Sequence, residues 1–254
     1  MTTALGIDVG GSGIKGATVD LRSGQMLHER VRIPTPCPET PTAVIETIGE
    51  IVDQIAMQFG PCDNMGCAFP GVVRAGVVHN ATNVDDSWVG VNGRDLLISR
   101  FGKKVCLIND ADAAGLAEMQ FGAGREFRQQ GVVLMLTFGT GIGSALFVDG
   151  QLSPNLELGE LELDGSIAEQ RAASRFFEDG ELTLAQWTKR VQRYLSHVDS
   201  LVWPDLIIFG GGISGESKKF LHELQTRAKL VPADFRGHAG IIGAALALEA
   251  SALP

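Results

Sequence analysis

The sequence predicts an α/β protein built from two related lobes with a cleft between them, and three observations lead to this fold class. Two glycine-rich turns, residues 11–17 and 139–145, match at two glycines, the hydroxyl, the isoleucine and the alanine. Each turn follows one apolar run and precedes another that ends on an aspartate, Asp20 or Asp149. After each strand meander, apolar strands alternate with helical patterns, as in α/β folds. One structural unit is therefore used twice.

Apolar runs in the first half predict strands at residues 4–9, 14–19, 26–33, 65–68 and 105–108. A helix is predicted to begin at Pro41, because Thr40 can cap it and proline suits the first helical position. Another helix, residues 111–121, begins straight after Asp110.

A second meander is predicted to start near Val132. It is followed by a helix at 185–202, a strand at 206–209, a helix at 221–228 and a final helix at 241–250. The repeat places the lobe boundary near residue 109. A smaller lobe of residues 1–108 plus about 236–254 and a larger lobe of residues 109–235 are expected.

Composition narrows the class of protein. A chain of 254 residues with 44% hydrophobic and 20% charged residues is that of a soluble globular protein. Its net charge of −9 disfavours binding to nucleic acid, and no apolar run reaches the roughly 20 residues that span a membrane. We expect a cytoplasmic protein. Its four scattered cysteines are interpreted as reduced thiols rather than a zinc site.

The first glycine turn predicts a phosphate site, because backbone amides without a Cβ can approach an anion closely. Asp8 stands just before this turn and can position hydrated Mg²⁺ beside phosphates, although it can equally cap the turn. Lys15 either reaches a phosphate or lies solvated on its strand. Two such turns facing each other would hold a phosphate chain between them.

Asn109 and Asp110 end a buried strand, where α/β folds place ligands. Asp110 can act as general base on a substrate hydroxyl while Asn109 orients it, and Asp110 can also cap the following helix. An aspartate of ordinary pKa, about 3.9, is sufficient for phosphoryl transfer, because the attacking hydroxyl loses its proton late.

Acidic residues crowd the segment after the second glycine hairpin, at Glu157, Glu160, Glu162, Asp164 and Glu169. They form either a solvated acidic loop or a set of acceptors for the vicinal hydroxyls of a sugar.

Several segments together resemble the ROK sugar kinases of the actin-like ATPase superfamily, which have a ribonuclease H-like fold, and among them the bacterial polyphosphate glucokinases. The segments are residues 6–16, 82–88, 109–115, 136–145 and 203–206, the last running into Gly210, Gly211 and Gly212. The resemblance spans nearly the whole chain. It implies Asp110 as base, Mg²⁺ held by Asp8 through water, and commonly a homodimer.

The resemblance also implies hexose contacts from Asn83, Asn109, Glu157 and Glu169. Together with the glycine turns it predicts phosphate contacts at Asp8, Gly10, Gly11, Ser12, Gly13, Lys15, Thr137, Gly139, Thr140, Gly141, Gly211 and Gly212.

Two departures from the family pattern matter. No cysteine occurs after Cys106, so the family's zinc site is not expected. Glu160 stands where the family has a histidine that touches the sugar, and an ionised glutamate accepts hydrogen bonds but cannot donate them. Glu160 is therefore expected to contact the substrate and to alter hexose preference.

The expected activity is phosphorylation of a hexose, glucose first, on its 6-hydroxyl with inorganic polyphosphate, ATP or both. Polyphosphate would need a basic groove, for which the candidates are Lys103, Lys104, Arg125, Arg128, Lys218 and Lys219. The alternatives are a kinase for mannose or an N-acyl amino sugar, and a non-catalytic sugar sensor. A DNA-binding regulator is disfavoured, because the first strand begins by residue 4.

Overall fold

A computed structural model describes residues 2–81 and 84–250. The strands in these ranges are β1 (Thr3–Gly10), β2 (Gly13–Asp20), β3 (Val31–Ile33), β4 (Asn64–Phe69), β5 (Val73–Arg74), β6 (Val77–Val78), β7 (Lys104–Asn109), β8 (Val132–Phe138), β9 (Ile142–Val148), β10 (Gln151–Leu156), β11 (Glu162–Leu163), β12 (Ser166–Ile167), β13 (Leu206–Gly210) and β14 (Lys229–Pro232). The α-helices are α1 (Pro41–Phe59), α2 (Gly93–Phe101), α3 (Asp110–Phe121), α4 (Glu169–Ala172), α5 (Arg175–Glu178), α6 (Leu184–Val202) and α7 (Ala239–Ala250).

The chain divides into two compact units. One comprises Met1–Ala117 with His238–Pro254, and the other comprises Glu118–Gly237. Each contains a five-stranded sheet, in the order β3-β2-β1-β4-β7 in the first and β10-β9-β8-β13-β14 in the second. In both, three antiparallel strands are extended by two parallel strands on the side of the meander's first strand. The internal repeat predicted from the glycine turns is therefore confirmed in the topology.

In the first unit, two helices cover opposite faces of the sheet. The final helix, α7, lies very close to β1 and β4, because Gly6 and Gly66 face it: a Cβ on Gly6 would lie 2.0 Å from the carbonyl oxygen of Ile241, and one on Gly66 1.7 Å from that of Ala244. Ile7 points to the other face and shares the main core of the unit with α1. Small residues thus allow α7 to cover the sheet almost backbone to backbone.

The second unit has an aromatic core. The ring of Phe138, from β8, stacks on that of Phe209, from β13, with centroids 4.4 Å apart. Trp187 and Tyr194 reach this core from α6 at helical spacing, and both are fully buried. The helix begins at a capping box, in which Thr183 and Gln186 bond each other's backbone N–H groups.

The start of one predicted helix is confirmed, and one predicted strand is shorter than expected. The helix predicted from Pro41 begins there, and the Thr40 hydroxyl accepts the N–H of Ala43 at 3.4 Å. The strand predicted at 26–33 is shorter, because only Val31–Ile33 joins the sheet while Met26 forms an isolated bridge. No helix among the described residues is long and apolar enough to cross a membrane.

The helix predicted at 221–228 is wrong. Only the single 3-10 turn Leu221–Glu223 forms, and the chain then runs into β14. The buried carboxylate of Asp199 accepts the N–H groups of Arg227, at 2.6 Å, and Ala228, at 3.4 Å. These two N–H groups are therefore withdrawn from helical hydrogen bonding. At the end of β13, the glycine triplet leads into a 3-10 helix, Gly212–Lys219.

Candidate active site

The first glycine turn lies beside a row of charged side chains that crosses three strands. Asp8 on β1 is directly opposite Lys15 on β2, and Lys15 is opposite Arg32 on β3. Lys15 Nζ lies 3.2 Å from Asp8 Oδ2, and Arg32 Nη2 donates to the carbonyl oxygen of Ser12 at 2.6 Å. Two cations side by side on a sheet repel each other unless an anion lies between them. The row therefore brings two cationic side chains to the turn formed by Gly10, Gly11, Ser12 and Gly13, the predicted phosphate residues.

The start of α7 closes this position from another side. A Cβ on Gly240 would lie 2.8 Å from Asp8 Cγ, so only glycine leaves room for the Asp8 carboxylate there. Burial, followed by the charges of Arg30 and Lys15, lowers the pKa of the neighbouring His238. His238 is therefore neutral at pH 7, while the other groups keep the surroundings of the turn positive.

Asp110 lies at the same edge of this sheet as Asp8. In the parallel register, Asp8 is opposite Ala68 on β4, and Ala68 is opposite Ile108 on β7. Strands are spaced about 4.8 Å apart, which puts the backbones of Asp8 and Ile108 roughly 10 Å apart. Asp110 follows Ile108 by two residues, at the carboxyl edge where α/β sheets bind ligands.

Asn109, rather than Asp110, caps the helix that follows. Asn109 Oδ1 accepts the N–H of Asp112 at 3.0 Å, and Asn109 Nδ2 donates to the carbonyl oxygen of Gly71 at 3.1 Å. Asp110 is already the first residue of α3, and its Oδ1 accepts the N–H of Ala111 at 2.8 Å. The capping role considered for Asp110 is thus filled by its neighbour, which also fixes the direction of the chain at Asp110.

The second glycine turn is joined by the later glycine triplet. Gly139 N donates to the carbonyl oxygen of Gly141 at 3.0 Å across the turn that contains Thr140. Gly211 has a φ of +87°, and a Cβ there would lie 2.1 Å from the carbonyl oxygen of Phe138. Thr137 pairs with Gly210 on the neighbouring strand. The phosphate residues predicted in this unit, including Gly212, are therefore assembled in one place.

The acidic segment is anchored to β9, next to the second turn. Ile142 N donates to Glu169 Oε2 at 3.2 Å, and a Cβ on Gly159 would lie 2.2 Å from the carbonyl oxygen of Ile142. Ile142 therefore contacts both the turn that carries Glu157 and Glu160 and the start of α4. Glu160 is exposed and Glu157 is half-buried. Asn83 lies outside the described residues.

Among the lysines and arginines considered for a basic groove, the two in the first unit, Lys103 and Lys104, lie at the opposite end of β7 from Asp110. Lys104 begins β7, about 20 Å along the chain from Asp110 at 3.3 Å per residue. Lys103 donates to the carbonyl oxygen of Cys62. Lys219 pairs with Glu216 at 2.8 Å. The other three, Arg125, Arg128 and Lys218, are exposed in the second unit.

Arg32 and Gly240 are site residues that the sequence interpretation missed. The signal for Arg32 is the cross-strand register, because the third strand of a meander places one of its residues opposite Lys15. Gly240 carries no local signal, since its importance comes from the packing of α7 against β1.

A divalent metal fits the residues present. In residues 2–81 and 84–250, no group of three or more His, Cys, Asp or Glu side chains could form a metal site. Mg²⁺, however, is usually held by one or two carboxylates together with substrate phosphates and water. The Asp8 carboxylate, in the space left by Gly240, fits that arrangement.

The repeated sheets, each with a glycine turn at its first hairpin, define the two-domain fold of the actin-like ATPases, a class that includes sugar kinases. The chain belongs to the ROK family, whose model matches residues 4–156.

Named relatives are similar over nearly the whole chain. Polyphosphate glucokinase from Mycobacterium tuberculosis is 49% identical over 243 residues, which cover 95% of this chain and 89% of the relative. The crystal structure of the inorganic polyphosphate/ATP-glucomannokinase from Arthrobacter sp. strain KM matches with a TM-score of 0.95 and 45% identity, covering 99% of this chain and 100% of the other.

A ROK family glucokinase from Streptomyces griseus, solved with glucose and AMPPNP, has a TM-score of 0.78 at 22% identity, covering 96% of this chain and 98% of the other. At that identity, the likeness supports the fold alone.

Proposed function

We propose that the protein is a hexose 6-phosphotransferase that uses inorganic polyphosphate, ATP or both, with glucose as its first substrate. The observation that carries the proposal is the position of Asp110 at the same sheet edge as the charged row of Asp8, Lys15 and Arg32. A base and an anion position along one edge are what transfer of a phosphoryl group to a hydroxyl requires. The likeness to polyphosphate glucokinases and to the glucomannokinase supports it.

In this mechanism, the 6-hydroxyl oxygen of the hexose attacks the terminal phosphorus of the donor. Its proton passes to the Asp110 carboxylate as the new O–P bond forms and the bond to the rest of the donor breaks. Asn109 holds the chain direction at Asp110 by capping α3. Glu157, Glu160 and Glu169 accept hydrogen bonds from the sugar's other hydroxyls.

The donor phosphates are held by backbone N–H groups of the glycine turns and by cationic side chains. Lys15 can exchange Asp8 for a phosphate oxygen, and Arg32 holds the turn by donating to the Ser12 carbonyl oxygen. Mg²⁺ bound by Asp8 through water would neutralise part of the phosphate charge. No zinc is required. The family resemblance further supports a homodimer and a cytoplasmic location.

A coupled assay with glucose and mannose, each with ATP and with polyphosphate, tests the proposal. Asp110→Asn is expected to lower kcat by about 10²–10⁴-fold, the usual contribution of a general base. Asp53→Asn, on an exposed face of α1, is the matched control and is expected to behave as wild type. Unchanged activity in Asp110→Asn would remove Asp110 as the base. A folded wild type that phosphorylates neither sugar with either donor would leave the sugar-sensor alternative.

Glu160→His extends the same assay to the sugar side. A neutral histidine can both donate and accept, whereas Glu160 only accepts and adds a second negative charge near Glu157. The variant is expected to have a lower KM for glucose with little change in kcat. An unchanged ratio of glucose to mannose activity would show that position 160 does not determine which hexose is used.

A further inference from the structure

A basic pocket lies in the second unit, and none of the residues that line it is among the predicted phosphate or sugar contacts. It has a volume of about 180 Å³ and is formed by the β11–β12 hairpin, α4 and α6. Four of its lining side chains are cationic, Arg171, Lys189, Arg190 and Arg193, and one is a carboxylate, Asp164. Such an excess of positive charge is unusual in a chain whose net charge is −9. The lining therefore selects for an anion.

The arginines of the pocket are held mainly by neutral groups. Arg171 Nη1 donates to the carbonyl oxygen of Asp164 at 3.2 Å, and Arg190 Nη1 donates to that of Arg171 at 3.2 Å. Only Arg193 is paired with the Asp164 carboxylate, at 3.0 and 3.3 Å. Each guanidinium has five N–H donors, so donors remain after these contacts. Arg171 and Arg190 are thus positioned by carbonyl oxygens, which do not neutralise their charge.

The pKa of Asp164 also reflects the positive charge around the pocket. The hydrogen bond from Arg193, and then the charges of Arg193, Arg171 and His197, lower the pKa of the Asp164 carboxyl. A single carboxylate in this surrounding stays ionised and offsets only part of the positive charge.

The buried side of the pocket includes a polar group that lacks a partner. Tyr194 is fully buried, and its hydroxyl has no hydrogen-bond partner among the described residues. Burial raises the pKa of Tyr194, so the hydroxyl keeps its proton and remains a donor. A buried hydroxyl without a partner is unfavourable, and Tyr194 is one of the residues that line the pocket.

We propose that this pocket binds a phosphate group. Arginine matches phosphate with paired, charge-assisted hydrogen bonds, and a phosphate carries enough negative charge to balance the lining. Inorganic phosphate, a hexose phosphate and the end of a polyphosphate chain all present this group.

The pocket is connected to the sugar side through α4. This helix is a single turn, Glu169–Ala172, which carries both Arg171 at the pocket and Glu169, whose Oε2 accepts the N–H of Ile142. We infer that a phosphate bound by Arg171 shifts this turn and with it Glu169. This second step rests on the proposed function, and Arg171 acts in it as a positioning residue.

The test compares wild type with Lys189→Gln and with Lys189→Gln/Arg190→Gln. Lys229→Gln, an exposed lysine on β14, is the matched control. Isothermal titration with inorganic phosphate, glucose 6-phosphate and tripolyphosphate counts the sites. Wild type and control are expected to bind one more phosphate group than the double variant, or to bind it at least about tenfold more tightly, since the double variant lacks two charged hydrogen-bond donors.

Equal stoichiometry and affinity in wild type and both pocket variants would overturn the site, and so would an equal loss in Lys229→Gln. The single variant keeps the test decisive if the double variant unfolds. The ligand that binds most tightly identifies the source of the phosphate group. Because titration needs no turnover, a chain that phosphorylates no hexose would still reveal the pocket, which separates this result from failure of the proposed function.

The link through α4 is tested by the hexose KM. Adding inorganic phosphate is expected to shift the KM of wild type at least about twofold and to leave that of the double variant unchanged. A phosphate-independent KM in wild type would overturn the link.

Discussion

Replacing Gly240 by alanine is expected to slow catalysis without weakening the fold. The added methyl would lie 2.8 Å from Asp8 Cγ, 2.9 Å from Oδ1 and 3.2 Å from Oδ2, and these are the three nearest atoms to it. The clash is therefore with the end of one side chain and not with backbone. Alanine also favours helix over glycine by up to about 1 kcal/mol, so α7 itself should be no less stable.

The size of the effect follows from the distances. An ordinary contact is about 3.5 Å, so the Asp8 carboxylate must retreat by about 0.7 Å from the 2.8 Å position. A misplacement of about 1 Å in an active site can cost about 10²-fold in rate. We expect kcat to fall about tenfold, which corresponds to about 1.4 kcal/mol in the barrier.

A double-mutant cycle with Asp8→Ala is the assay. If the methyl acts through the Asp8 carboxylate, Gly240→Ala should cost nothing further in kcat once that carboxylate is absent. Gly215→Ala is the control, because no atom lies within 4 Å of its new methyl and its φ is not positive. The same tenfold loss in the presence and absence of the Asp8 carboxylate would refute the reasoning.

Two further predictions concern stability. Gly66→Ala places a methyl 1.7 Å from the carbonyl oxygen of Ala244, so β4 and α7 must separate. The free energy of unfolding in urea is expected to fall by at least about 3 kcal/mol, whereas that of Gly215→Ala should stay near the wild-type value. Glu118 accepts three backbone N–H groups and is fully buried, so Glu118→Gln, which sets an amide against a donor, should cost about 1–3 kcal/mol. Burial raises the pKa of Glu118 above its ordinary value of about 4.3, so the native state binds this proton more tightly than the unfolded chain does. The free energy of unfolding of the wild type should therefore fall as the pH rises from about 4.3 through the raised pKa. The Glu118→Gln variant should lack this pH dependence.

Much of the fold could be predicted because its signals are local. A glycine turn between two apolar runs identifies a hairpin from about fifteen residues, and the chain repeats it. The helix predicted at 221–228 failed for the opposite reason, because Asp199, more than twenty residues earlier, takes the N–H groups that a helix would use. The strand β14 that follows is short and ends on Pro232, so it gave no strand signal.

The candidate site also contains residues with local sequence signals and residues whose role depends on distant packing. Asp8, Asp110 and the two glycine turns are visible in sequence because each sits at the end of an apolar strand. Arg32 and Gly240 matter only once β3 and α7 are packed against β1 and β2. The basic pocket is even harder to predict from the sequence, because Asp164 and Arg193 are 29 residues apart in the chain. Only the folded structure brings these two side chains into contact, and in the sequence each looks like an ordinary surface charge.

The glycine contacts between α7 and the first sheet have a consequence for synthesis on the ribosome. The face of β1 and β4 that carries Gly6 and Gly66 is covered by α7, so the first unit cannot be completed until residues 239–250 have been synthesised, after the whole of the second unit. The second unit, Glu118–Gly237, is continuous and can fold earlier. Chain order therefore allows the second unit to fold before the first, although domains usually fold in order from the amino terminus.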